Sequence, residues 1–264
     1  MAEGHAVIRW ARRLRPLAGA PLRTVTMPKR WGDRPATRVG QHLTDVRTHG
    51  KHLLLPLSGG ETLHTHAMQY GSWQVGTPGM PYRKDPKYVR LRLATDAHEA
   101  VFYHGPVVEL LTPEELAAHP KLNALGPDVM APDFDRAEAF RRVQAAGTEP
   151  VGPVVLNQRV VAGLGNIYKS EGLFLARIDP RRPAASVSRA ELERLWDAVI
   201  PLMWEGTERY GKTRTTTPAL QEEGHLNWVY RRKNKPCLVC GTPIALVRLP
   251  PFERSTYLCP VCQR

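Results

Sequence analysis

Cysteine is almost missing from this chain: there are four in 264 residues, and none before position 237. That excludes a disulfide framework for most of the protein and leaves material for one metal site. Long apolar runs are missing too. No stretch of about 18 apolar residues offers a membrane helix, and the N-terminus carries no apolar signal core. The expectation is a soluble cytoplasmic protein with no membrane partner. Acidic residues are in deficit, 25 against 37 Lys and Arg, giving a formal charge of +12 and a pI near 9.9. A balance of that sign points to a polyanion, and nucleic acid fits best, because each cation laid on a phosphate releases counterions.

What is present sorts into two halves. Val7, Ile8, Ala11, Leu14 and Leu17 recur at helical spacing over Ala6 to Leu17, with Pro16 ending or bending that helix. From Leu22 to Tyr103 the pattern is β-like. Strands are expected at Leu43 to Val46, His52 to Leu57, Glu61 to His66, Trp73 to Val75, Tyr88 to Leu93 and Val101 to Tyr103, with Ser58-Gly59-Gly60 as a hairpin turn. Helices dominate after Leu111. Thr112 with Glu115, Asp135 with Glu138 and Ser188 with Glu191 each have the spacing of a helix start. The composition shift and the prolines at 127 and 132 place a boundary that divides the chain into 1–125 and 126–264.

Four places carry chemistry. At the N-terminus, Ala2 is small enough for Met1 to be trimmed, leaving an α-amine beside Glu3. Such an amine has a pKa of about 7.7 to 8.0, against about 10.4 for lysine, so part of it is nucleophilic at neutral pH. An ordinary solvated terminus is the alternative that these residues leave open. Lys51 follows Gly50 at the start of an apolar strand, and a solvated strand-end lysine is its plain reading. Met68, Gln69 and Tyr70 form a turn with side chains able to enter a base stack, although such residues also serve cores.

Further on, Gly163 and Gly165 precede Asn166, which opens a helix. Exposed amides at a helix start bind phosphate, and the Asn166 amide adds a donor. Gly211 to Asn227, with Lys212 and Arg214, reads as a mobile loop near a ligand. At the C-terminus, Cys237-x2-Cys240 and Cys259-x2-Cys262 stand 18 residues apart, the spacing of a four-cysteine ribbon over 228–264 that holds one structural zinc ion. Arg248 and Arg254 lie between the pairs and can grip phosphates bidentately.

Taken in order, AEGHAVIRWARRL, GKHLLLPL, VVAGLGNIYKSEGLF and CLVCGTPI with FERSTYLCPVCQ resemble the formamidopyrimidine-DNA glycosylase/endonuclease VIII family over essentially the full length. The resemblance implies an α+β protein of two domains. The first is an N-terminal β-sandwich with flanking helices, the second a C-terminal helix-two-turn-helix domain with a four-cysteine zinc finger. It implies damaged double-stranded DNA bound in the cleft between them by a monomer, removal of oxidised bases and cleavage at the abasic site. Glu3 matches the catalytic acid, Lys51, Asn166 and Arg254 the phosphate-gripping residues, and Met68 with Gln69 and Tyr70 the void-filling loop. The segment Tyr103 to Leu116 replaces the arginine-rich loop of purine-directed members, so the likeness leans to the endonuclease VIII branch and to pyrimidine lesions. Ala2 departs from the family's usual proline. The alternative reading is therefore a lesion-binding or monofunctional member with weakened lyase chemistry.

Overall fold

The computed structural model describes residues 2–27, 36–209, 211 and 213–264. Met1 and Lys212 lie outside the described residues. The chain forms two compact units, Met1–Ala124 and Leu125–Arg264.

In the first unit the apolar stripe of the N-terminus makes helix α1, Gly4–Leu14, and Pro16 turns its end into a 3-10 segment, Arg15–Leu17. Pro16 supplies no N–H and cannot continue the α ladder. Eight strands follow: β1 (Thr24–Thr26), β2 (Arg47–His49), β3 (His52–Pro56), β4 (Thr62–His66), β5 (Ser72–Gly76), β6 (Val89–Ala94), β7 (Glu99–Tyr103) and β8 (Val107–Leu111). They make two antiparallel sheets, ordered β1-β6-β7-β5 and β2-β3-β4-β8. Leu53, Leu55, Leu63, Val108 and Leu110 from one sheet share a core with Leu91, Leu93, Ala100, Phe102 and Trp73 from the other, and Val7, Ala11 and Leu14 of α1 join it. This is a sandwich, because each sheet turns its apolar face to the other.

Two strand expectations need correction. Leu43 to Val46 is not a strand. Leu43 makes isolated bridges to Ala18 and Leu57, and the Asp45 carboxylate takes the Val46 N–H at 2.7 Å, which competes with a ladder. The strand begins at Arg47 instead. The strands expected from the sequence also omit β8, which lies within Tyr103 to Leu116 and pairs with β4 along its length.

The second unit is helical: α4 (Arg136–Ala145), α5 (Val151–Leu156), α6 (Asn166–Leu175), α7 (Arg189–Glu208) and α8 (Pro218–Glu222), preceded in the first unit by the short α2 (Pro113–Ala117) and α3 (Pro120–Asn123). Thr112 and Ser188 both complete reciprocal capping boxes, with Glu115 and Glu191. Asp135 caps α4 through Glu138 N–H alone, since the Glu138 carboxylate is taken by Arg141 and Arg142. Helices α6 and α7 meet at Gly172, where an added Cβ would lie 2.2 Å from a methyl of Val199. Strands β9 (Ala245–Leu249) and β10 (Arg254–Leu258) form the finger hairpin. Its core of Cys237, Ile244 and Cys259 is continuous with Phe174 of α6 and Val229.

The stretch from Gly211 to Asn227, expected as a mobile loop near a ligand, is described except at Lys212. It contains α8, and Thr215 and Thr216 are buried. Thr215 N–H donates to Leu226 O at 2.8 Å and its hydroxyl to Glu171. Among the described residues no helix is long and apolar enough to cross a membrane.

Candidate catalytic terminus and nucleic-acid interface

Ala2 and Glu3 are held by the sandwich. Ala2 packs on the core. Glu3 is 0% exposed and stands at the N-cap of α1 in extended backbone, its carbonyl accepting the N–H groups of Ala6 at 2.9 Å and Val7 at 3.3 Å. Burying a carboxylate is costly, and Glu3 follows Ala2 directly in the chain. His5 is also buried. Burial, then the Arg9 charge, pushes its pKa down to about 4, so it is neutral at physiological pH.

Helix α1 packs on β2, β3 and β5. Strands β2 and β3 are joined by the two-residue turn Gly50-Lys51, with His49 opposite His52. Gly50 has φ of +57°, which glycine adopts at little cost. That turn sets Lys51, half-buried, at one end of the sheet. His52 stands opposite His66 in the next pairing, so the turn after β4, carrying Met68, Gln69 and Tyr70, emerges at the same end as Lys51. Lys51 is close enough to His66 for its charge to add to burial, the larger cause, in pushing the His66 pKa down to about 4. Met68 and Tyr70 are 51% and 75% exposed. Neither side chain contributes to the core at that exposure.

In the second unit, Asn157 N–H closes α5, and the chain then makes two tight turns to Gly165. Gln158 pins them. Its Nε2 donates to Leu156 O at 2.8 Å and Leu164 O at 3.0 Å, while its Oε1 accepts Gly163 N–H at 3.1 Å. The N-cap of α6 is Gly165, which has no side chain to cap the first turn. Asn166 is 5% exposed. Its Nδ2 donates to Ser255 O at 2.9 Å, and its Oδ1 accepts from Lys169 Nζ at 2.8 Å. The turn asparagine is thereby brought against β10, whose first residue is the exposed Arg254. Arg248, also exposed, pairs across the hairpin with Ser255.

The sulfurs of Cys237, Cys240, Cys259 and Cys262 all lie within 4.8 Å of one another. Cys237 to Cys262 is 3.9 Å and Cys240 to Cys259 is 3.5 Å. A tetrahedron with Zn–S near ~2.3 Å has edges of about 3.8 Å, whereas a disulfide requires about 2.05 Å. The N–H groups of Val239 and Cys262 point at the sulfurs of Cys237 and Cys259, which suits thiolates. The set fits one structural zinc, with all four positions supplied by protein.

A second convergence, His64, Glu109 and His119, has three potential ligand atoms within 4.8 Å. Glu109 Oε2 is 2.7 Å from His64 Nδ1 and 3.2 Å from His119 Nε2. His119 Nδ1 accepts the Leu122 N–H, which puts its proton on Nε2, facing the carboxylate. Neutral His64 likewise donates Nδ1–H to Glu109 and receives on Nε2 the proton of His52 Nδ1, 2.8 Å away. Each nitrogen facing Glu109 carries hydrogen rather than a lone pair. In this arrangement the cluster ties β4, β8 and the start of α3 together and does not present a ligand set.

Sequence reading missed Gln158, Lys169, Glu171 and this histidine chain. Apart from those of Gln158, which are local, their partners lie up to 87 residues away in sequence, and no short motif carries such spacing.

Family models match three consecutive parts of the chain. These are the formamidopyrimidine-DNA glycosylase N-terminal domain over residues 1–106, the formamidopyrimidine-DNA glycosylase H2TH domain over 125–218, and the zinc finger found in FPG and IleRS over 234–264. A probable endonuclease 8 2 of Streptomyces coelicolor is 37% identical, with all of this chain and 94% of that protein covered. A formamidopyrimidine-DNA glycosylase of Methylococcus capsulatus is 38% identical over 89% of this chain and 88% of that one. The Lactococcus lactis formamidopyrimidine-DNA glycosylase, solved non-covalently bound to DNA containing an AP site, shares the fold with a TM-score of 0.80 at 23% identity, each chain covered in full.

Proposed function

Because this chain belongs to the formamidopyrimidine-DNA glycosylase/endonuclease VIII family, we propose that it excises oxidised pyrimidines from double-stranded DNA and cleaves the strand at the abasic site through its own N-terminal amine. The observation that carries this reading is Glu3. A carboxylate with no solvent exposure, at the N-cap of a helix and adjacent to Ala2, supports a role in proton transfer next to that amine.

With Met1 removed, the Ala2 amine attacks C1′ of the flipped nucleotide. The C1′–N bond forms as the bond to the base breaks, and the departing base takes up a proton. Glu3 relays protons as the ribose ring opens to a protonated imine. The imine acidifies C2′, and loss of that proton expels the 3′ phosphate. Lys51 in the first unit and Asn166 and Arg254 in the second each take a backbone phosphate. Met68, Gln69 and Tyr70 fill the space that the flipped nucleotide leaves. The zinc ion holds the finger hairpin and has no position open for chemistry.

Support for pyrimidine lesions comes from the sequence Tyr103 to Leu116, which lacks the arginine-rich loop of purine-directed members, and from the exposure of Met68 and Tyr70. The test is an excision assay on duplexes carrying thymine glycol, 5-hydroxycytosine or 8-oxoguanine. Faster release of the two pyrimidines is expected, with Glu3→Gln binding the duplex but excising at least ~100-fold more slowly. Preferential release of 8-oxoguanine would overturn the substrate class, and unchanged turnover by Glu3→Gln would remove Glu3 from its role.

A further inference from the structure

Lys169 is 0% exposed, one turn into α6. A cation buried near the start of a helix opposes the macrodipole, an arrangement that stability alone disfavours. Residues that break a local rule in this way are often kept for function. Its Nζ donates to Asn166 Oδ1 at 2.8 Å and to Thr256 Oγ1 at 2.7 Å. An ammonium group can only donate, so it compels the amide oxygen of Asn166 to face it and turns Nδ2 the other way. There, one Nδ2 hydrogen goes to Ser255 O at 2.9 Å. The direction of the second is then fixed by the planarity of the amide. Thr256 Oγ1 passes its own hydrogen to Arg254 O at 3.1 Å. One ammonium thus connects the asparagine of the helix turn with the backbone of the finger arginine, across 87 residues of sequence.

We propose that Lys169 is a positioning residue for phosphate recognition: from inside the second unit it sets which edge of the Asn166 amide is offered to DNA and holds the start of β10, with Arg254, in register with it. The residue does not itself reach DNA. The inference rests on Asn166 and Arg254 being phosphate contacts, and its failure is separable from the failure of that reading.

The experiment uses the zinc-loaded full chain and a duplex containing a tetrahydrofuran abasic analogue. Equilibrium affinity is measured for wild type, Lys169→Met, Asn166→Ala and the double variant, and the side-chain amide protons of Asn166 are followed by NMR. Lys169→Met is expected to weaken binding by ~10-fold, the order of one hydrogen bond to a charged group. The double variant should bind within about twofold of Asn166→Ala alone, since both changes act through one amide. The two Asn166 amide protons, distinct and slowly exchanging in wild type, should lose that protection in Lys169→Met. A purely structural lysine would move neither the non-additivity nor this signal. Full additivity, wild-type affinity of Lys169→Met beside a weak Asn166→Ala, or an unchanged amide signal would overturn the proposal. Wild-type affinity of Asn166→Ala would instead overturn the phosphate-contact reading beneath it. Thr256→Val, nearly isosteric, keeps the question open to test should Lys169→Met fail to fold. It should weaken binding ~3-fold and non-additively with Arg254→Ala, and additivity there would overturn the link to the finger.

Discussion

His64 and Glu109 stand directly opposite each other on β4 and β8, and the imidazole Nδ1 lies 2.7 Å from the carboxylate Oε2. His64 is 1% exposed and Glu109 33%, so the carboxylate reaches water while satisfying a ring that does not. The same oxygen accepts from His119, which starts α3. One carboxylate therefore secures the β8 edge and the helical turn that follows it.

Replacing Glu109 by leucine should cost about 1 to 3 kcal/mol, because it leaves a buried N–H of His64 without its acceptor. The midpoint of urea unfolding measures this. An unshifted midpoint would show that the pair contributes nothing to the sandwich.

Acid should weaken the fold well above the carboxylate range. Burial first, then neighbouring positive charge, pushes the pKa values of His5 and His66 down to about 4 and that of His52 to about 2, against about 6.5 in an unfolded chain. Groups depressed in the folded state contribute stability that is complete above pH ~6.5 and lost as pH falls toward the folded value. The melting temperature should therefore hold above pH ~7 and fall between pH ~6.5 and ~4, each of the three histidines contributing up to roughly 1.4 kcal/mol per pH unit. His66→Asn should flatten that fall. An identical slope in the variant would contradict the assignment.

Glu171, fully buried on α6, accepts the N–H groups of Trp228, Val229 and Tyr230 at 2.8, 2.9 and 2.7 Å, as well as the Thr215 hydroxyl. Burial nevertheless pushes its pKa upward. Glu171→Ala should destabilise the second unit by about 3 kcal/mol, since one buried and two part-buried donors lose their acceptor together. Hydrogen exchange at residues 228–230 reports it. Wild-type protection in the variant would mean that these amides are held by something else.

Much of this was readable in the residues themselves. Pro16 ended α1 where its missing N–H required, Thr112 and Ser188 started helices through their own side chains, and the cysteine spacing gave a tetrahedral cluster. These signals are local, so a short window contains them. Leu43 to Val46 misled because Leu43, Thr44 and Val46 suit a strand one by one, while Asp45 turns its carboxylate onto the next N–H and ends the ladder before it starts. Val107 to Leu111 went unrecognised because its pairing partner, β4, lies more than forty residues earlier. Gln158, Lys169 and Glu171 act only through contacts made by folding. The terminus is an intermediate case: the motif around Glu3 was legible, and its complete burial was not.

The central claim is that the amine of Ala2 carries the reaction, and borohydride trapping on a duplex with a thymine glycol or abasic site, followed by intact-mass and peptide analysis, tests it most directly. The expected product is a covalent protein–DNA adduct on a chain lacking Met1, with the reduced linkage mapped to the Ala2 nitrogen. A chain confirmed to begin at Ala2 that binds the damaged duplex and forms no adduct, or forms it on a lysine, would contradict the claim.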